Sequence, residues 1–363
     1  MLKKCISFSL CLIMLFSVSI SAFAASESSD RKSALMIIHE ETIRATSGEY
    51  ANDIAIKTLF DLDGNEFELV ETGSNGYYIF DRVSGKYLEK AADAPSPYLG
   101  LEDDLYYFGP MNYYQLKDNL YEHTRLSRDY DCSTATAQLL QSEFASALGI
   151  SRAVTNDLLI GLISQRSVRS QDIQAYFTQT RATNTYITNS NYIRYAVYPA
   201  NVNGTCGYTA ACLILNYWHK SVGGVINSAF LDSSGNLKTT GHTLQDQLLS
   251  YGNSNGSWGK TIRDALIGYC NDYGVSATST YYVTNWDIFA EVGRNRPVIV
   301  FGSFPSDPLS SSSRGSISHA VTAYGKSTEW WGSMLIVHYG WSGYEHIILD
   351  SGLVGSSTQF ILN

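Results

Sequence analysis

The stretch Gly204-Thr205-Cys206-Gly207-Tyr208-Thr209-Ala210 puts a cysteine directly after a glycine-containing loop and directly before the run "TAACLILNYWHK". That run is apolar on nearly all faces, which predicts a buried helix with Cys206 at its start. The first turn of a helix carries N–H groups with no intrahelical partner and the positive end of the macrodipole. A thiol placed there is biased toward thiolate, its nucleophilic form, and the same N–H groups can receive an oxyanion during acyl transfer. Cys212 lies inside the helix and reads as a small core residue.

A cysteine nucleophile needs a base, generally histidine. Of seven histidines, His319 opens the apolar strand "HAVTAYG", behind the flexible loop "DPLSSSSRGS". A strand edge holds an imidazole rigidly, and the loop leaves room for a substrate. His338, alternating within "LIVHYGW", is the second candidate. His39 and His123 belong to the first half, His219 follows the helix, His242 sits in a surface turn, and His346 opens a late strand with no catalytic mark nearby.

The second half, from about residue 190, must position these groups. It predicts one strongly apolar helix, a less regular region, and then the strands "RPVIVFGSF", "HAVTAYG", "MLIVHYG", "HIILD" and "QFILN". A helix preceding an antiparallel sheet is an α+β signature. The first half is β-rich. Three short strands are expected at Phe67–Val70, Tyr77–Phe80 and Lys86–Leu88, then a helix over "STATAQLLQSEFASALG" stopped by Gly149, and another over "AVTNDLLIGLIS". Leu139, Leu140, Phe144 and Leu148 form a core stripe on the first of these helices. "DLDGNE" at 61–66 is a turn at Asp63-Gly64, because an EF-hand loop needs glycine where Glu66 stands. Trp330-Trp331 falls at a hairpin tip, where the rings could bind peptide or sugar or pack on the sheet.

Between the halves, residues 164–190 are polar, contain Arg166, Arg169 and Arg181, and read as an exposed connection open to proteolysis. At the other end, "MLKKCISFSLCLIMLFSVSISAFA" has a basic start, a short apolar run and a small-residue finish, the pattern of a secretory signal peptide cleaved after Ala24. The expected organisation is therefore signal peptide 1–24, a β-rich then helical unit 25–163, linker 164–190 and a helix-plus-sheet domain 191–363. The product would be exported, without stable membrane insertion after signal removal. A net charge of -9 argues against nucleic acid as a partner. Six cysteines, of which Cys5 and Cys11 leave with the signal, are too few for a disulfide scaffold. No cofactor or metal motif is evident. The 26 tyrosines suit aromatic-rich strands and are assigned no function.

The Cys206 segment, ending in Asn216-Tyr217, resembles the active-site helix of papain-like cysteine peptidases, most closely the streptopain group. "HAVTAYG" followed by "LIVHYGWSGYEHIILD" is similar to that group's catalytic histidine strand and its tryptophan loop. The likeness covers about the last 170 residues, in the Cys, His, Trp order of that fold. It implies a zymogen whose prodomain, residues 25 to about 185, acts as an intramolecular inhibitor, and a protein or peptide substrate. Residue by residue it implies Cys206 as nucleophile, His319 as base and later acid, and Trp341 as the shield of the histidine. Two positions depart from the pattern. The family's oxyanion-hole glutamine is replaced by candidates Asn201 and Asn203, and the orienting asparagine is absent, leaving His338, Tyr339 or a backbone carbonyl to orient His319. Two other readings stay open: a Cys–His amidase or peptidoglycan hydrolase, and a catalytically inactive papain-like module used for binding or adhesion.

Overall fold

The computed structural model describes residues 37–44, 55–73, 75–126, 131–153, 182–201, 204–252, 256, 258–284, 287–302, 319–329 and 331–363. The expected signal peptide, the helix over "AVTNDLLIGLIS" beyond Ala153, the arginines of the linker, Asn203 and Trp330 lie outside these residues. The chain divides into two units, Met1–Ala51 with Asn156–Arg181, and Asn52–Thr155 with Ala182–Asn363. In the first, residues 37–44 form a helix, α1, that buries Ile38 and Ile43. In the second unit the β-rich first half and the second half lie together.

The first half contributes β1 (Ala55–Phe60), β2 (Glu66–Thr72), β3 (Gly76–Asp81), β4 (Tyr87–Ala91), β5 (Leu105–Tyr107), β6 (Tyr113–Lys117), β7 (Leu120–His123) and α2 (Thr134–Ala153). The second half adds β8 (Thr183–Tyr186), α3 (Asn191–Arg194), α4 (Cys206–Val222), α5 (Leu244–Gly252), α6 (Gly259–Tyr273), β9 (Ala277–Tyr282) and α7 (Ile288–Gly293). It ends with β10 (Val298–Phe301), β11 (Ala320–Glu329), β12 (Gly332–His338), β13 (Ile347–Asp350) and β14 (Ser356–Leu362). Among the described residues all the strands join one sheet in the order β7-β6-β5-β1-β2-β3-β4-β13-β12-β11-β10-β14-β9, with β8 added on β11. Its pairings are antiparallel except the single parallel contact of β1 with β5. Helices and sheet make an α+β architecture. The halves, expected in succession, share this sheet through Ile347↔Ala91, Ile348↔Lys90 and Leu349↔Glu89.

Two layers cover the central strands. On β10, Val298 and Val300 face a core that also holds Phe67, Leu88, Phe144 and Leu148 of the first half. Ile299 and Phe301 face the opposite core, built on α4, α5 and α6. Alternation along a strand sends neighbours to opposite faces, and with both faces covered the strand reads as a continuous apolar run. The tyrosines are mostly structural: Tyr77, Tyr87, Tyr107, Tyr113, Tyr114, Tyr324 and Tyr339 are fully buried.

The structure bears on several local expectations. α2 continues past Gly149 to Ala153, because tertiary contacts hold its last turn. Ser151 Oγ donates to Asp350 Oδ2 at 2.6 Å, the Lys86 ammonium reaches Ser151 O at 2.5 Å, and Arg152 pairs with Asp81 at 2.7 Å. Leu139 is 57% exposed, so of the expected core stripe only Leu140, Phe144 and Leu148 are buried. Part of the polar connection, Thr183–Tyr186, is a strand whose side chains are exposed but whose backbone pairs with β11. Trp331 is buried edge-on against Tyr87, centroids 4.8 Å apart. At 61–65 the Gln141 amide donates to both Asp61 and Asp63, at 3.0 and 2.7 Å, tying the turn to α2.

Candidate active site

Cys206 is the first residue of α4. The turn before it uses Gly204 at φ +75°, a conformation that favours glycine. The Thr205 side chain makes no capping bond, so it does not take up the first-turn N–H groups. Two features hold this turn. Gln245 on α5 donates to Thr209 Oγ1 at 2.7 Å and also reaches Ala200 O at 3.3 Å and Thr205 Oγ1 at 3.4 Å. Gly256 packs its carbonyl so close to Gly207 that a Cβ at 207 would stand 1.9 Å from the oxygen. Local sequence offers no signal for Gln245 or Gly256, since both arrive from later segments.

The Cys206 thiol lies between two backbone groups. Its Sγ accepts from Ala320 N at 3.4 Å and donates toward Gly256 O at 3.8 Å. Ala320 begins β11, so the start of α4 abuts the strand that His319 introduces. α4 rests on β11 through Thr322 Oγ1, which donates to Ala210 O at 3.4 Å. The other described cysteines, Cys132, Cys212 and Cys270, form no disulfide and are buried. Burial pushes the Cys132 thiol up to about 12 and the Cys270 thiol up to about 11, and raises that of Cys212 further.

His319 is tied at its carbonyl by Gly302 N at 3.1 Å. Its ring stands edge-on to Trp341, centroids 5.9 Å apart at 82°. Nε2 is enclosed and has no hydrogen-bond partner among the described residues. The enclosure is shared with the first half, because His319 lines a small cavity with Phe108, Met111, Asn112 and Phe144. Burial, aided by the nearby His123, pushes its pKa down to about 3, so the imidazole is neutral at neutral pH.

His123 is a histidine that no motif singled out. Its ring lies 5.9 Å from Trp341, so that tryptophan contacts a histidine from each half. Its Nδ1 accepts from the backbone N–H groups of Arg125 and Leu126, both at 3.1 Å, and its Nε2 therefore donates to Met111 O at 2.9 Å. Burial brings its pKa down to about 4.

The structure brings Trp341 to the His319 ring, while the polar bonds of His338 and Tyr339 go elsewhere. His338 Nδ1 accepts from Gly340 N at 2.8 Å, which shapes the turn leading to Trp341, and its ring meets Tyr198 edge-on at 5.0 Å. Burial pushes its pKa down to about 3. Tyr339 donates to Glu89 Oε2 at 3.2 Å. Asn201 lines a large cavity that also includes Gly340 and Trp341, on the Trp341 side of the site. His219 accepts from Ile226 N, His242 reaches Gln247, and His346 lies 3.0 Å from the Tyr186 hydroxyl; each is occupied by local structure.

Among the described residues no group of three or more His, Cys, Asp or Glu side chains is arranged to hold a metal, and no helix is long and apolar enough to cross a membrane. No protein-family model matches the chain, and the search of curated proteins finds no match.

Proposed function

We propose that this chain is the exported precursor of a papain-like cysteine peptidase of the streptopain type, with Cys206 and His319 as its dyad. One observation carries the reading. A cysteine at the first position of a buried helix has its sulfur 3.4 Å from the backbone nitrogen of the residue that follows a tryptophan-flanked histidine. In the working enzyme Cys206 Sγ, its proton passed to His319, attacks the scissile carbonyl, and the first-turn N–H groups take the oxyanion. His319 returns that proton to the leaving amine. Water, deprotonated by His319, then releases the acyl group and restores the thiol.

The enclosure of His319 supports the precursor part of the reading. A thiolate–imidazolium pair forms when the ring takes the thiol proton, and an imidazole whose pKa is held near 3 beside Phe108, Met111 and Asn112 is too weak a base to take it. The first half thus restrains the site in the uncut chain, and cutting in 164–181 would lower its effective concentration. The same enclosure also favours the second reading, an inactive binding module.

An epoxide inhibitor directed at cysteine peptidases separates the two. After limited proteolysis, one equivalent should attach to Cys206, read by mass spectrometry. A cut, folded chain that takes up none refutes the peptidase and favours the inactive module.

A further inference from the structure

Beside Trp341 lies a cavity of about 670 Å³ whose walls include Tyr198, Asn201, Trp341, Tyr344 and Glu345. The first half enters it through Arg125, whose guanidinium stands 5.3 Å from the centroid of the Tyr344 ring. Arg125 follows His123 by two residues, and His123 holds that short segment in place through Nδ1.

The walls have the chemistry of a cation site. Tyr198, Trp341 and Tyr344 supply aromatic rings, and Glu345 supplies the negative charge among the lining residues. Gly343 N fixes Glu345 Oε1 at 2.8 Å, while Oε2 accepts no hydrogen bond from a described residue. Glu345 is half-buried and forms no ion pair with Arg125 among the described residues, so its charge is not already neutralised there. A planar guanidinium can lie on an aromatic face and donate to a carboxylate at once, which an ammonium does less well.

From this we infer that the cavity is a subsite for an arginine side chain of the substrate, with Glu345 as its specificity-determining residue, and that Arg125 occupies it in the uncut precursor. The inference rests on the peptidase reading for the word substrate, but the binding site can be tested without catalysis. A substrate arginine would displace Arg125 or fill its place once the first half has gone, over the same Tyr344 ring.

The test uses the full chain carrying Cys206→Ala, which cannot turn over, with and without Arg125→Ala. The probe is an acetylated, amidated glycyl-arginyl-glycine peptide, compared with its neutral isostere in which citrulline replaces arginine, and binding is measured by calorimetry. With Arg125→Ala the arginine peptide should bind about tenfold tighter than the citrulline peptide, the effect of one partly desolvated cation contact. It should also bind more tightly than to the chain that keeps Arg125. Adding Glu345→Gln, close to isosteric, should abolish the preference. Equal binding of the two peptides, or a preference that survives Glu345→Gln, overturns the subsite. An arginine preference in a protein that takes up no epoxide inhibitor would uphold the site and refute the peptidase. Inhibitor uptake without that preference would refute the subsite alone.

Discussion

Tyr339 donates its hydroxyl to Glu89 at 3.2 Å, linking a strand-end residue of the second half to a carboxylate on β4 of the first. Three first-half tyrosines complete the shell. Tyr113 and Tyr77 donate to Oε1 at 2.8 and 2.9 Å, and Tyr107 lies 3.4 Å from Oε2. Glu89 is fully buried and forms no ion pair among the described residues, so desolvation dominates and pushes its pKa up to about 7 despite the hydroxyl bonds.

This carboxyl is expected to make the uncut chain less stable as pH rises. The folded pKa lies above the unfolded value of 4.5, so the contribution is fully present below 4.5 and is lost as pH rises through 7. Glu89→Gln removes the charge and keeps a hydrogen-bonding group, and should stabilise the chain at pH 8 by on the order of 2–3 kcal/mol. Glu89→Ala should instead destabilise it, because it orphans buried hydroxyls. Thermal unfolding of the three proteins at pH 5 and pH 8 checks both signs.

The desolvated histidines act in the opposite direction. His319 and His338 at about 3 and His123 at about 4 all lie below the unfolded value of 6.5. Their neutral burial contributes stability that is present above 6.5 and is lost as pH falls toward the folded values. Three such groups outweigh the single carboxyl, so acidification from pH 6.5 to 4.5 should lower the melting temperature and speed proteolysis in the connection. His123→Gln should reduce that slope. A melting temperature unchanged across the interval would contradict the assigned protonation states.

Thiol reactivity should separate the cysteines once the first half is cut away. Iodoacetamide at pH 7.5 is expected to modify Cys206 at least tenfold faster than Cys212 or Cys270, whose thiols burial raises. Cys206→Ala should abolish peptide hydrolysis and leave the melting curve within about 1 kcal/mol of the parent. Peptide mapping after timed labelling gives the rates.

Gly207 tests the turn that places the proposed nucleophile, Cys206. Its absent Cβ leaves room for the Gly256 carbonyl, and Gly207→Ala would drive the two backbones apart. A loss of peptide hydrolysis of about 100-fold or more is expected, since small misplacements of a nucleophile are costly. His242→Ala, at an exposed site, is the control and should change hydrolysis by less than twofold.

The ion pair Lys86–Asp350, at 2.8 Å with both side chains buried, also joins the halves. Asp350→Asn leaves the ammonium without its counter-charge and should cost about 3–5 kcal/mol, read by urea denaturation. Lys86→Met with Asp350→Leu should recover much of that loss, because the cost comes from an unpaired buried charge.

The sequence by itself determined the local elements and the chemical candidates. The apolar run after Cys206 specified a buried helix, and period-2 or continuous apolar stretches specified β2, β3 and β10, because these signals depend only on neighbours along the chain. It also separated Cys206 from Cys212 by position alone. Tertiary structure decided what met what. That β4 pairs with β13, that Glu89 sits under Tyr339, and that His123 and His319 both touch Trp341 depend on contacts between residues tens to hundreds of positions apart. No periodicity encodes such contacts. The same holds for α2, whose last turn survives Gly149 because Asp350, Lys86 and Asp81 hold it from outside. The protonation state of His319 was least legible of all, since it is set by the solvent that the first half excludes.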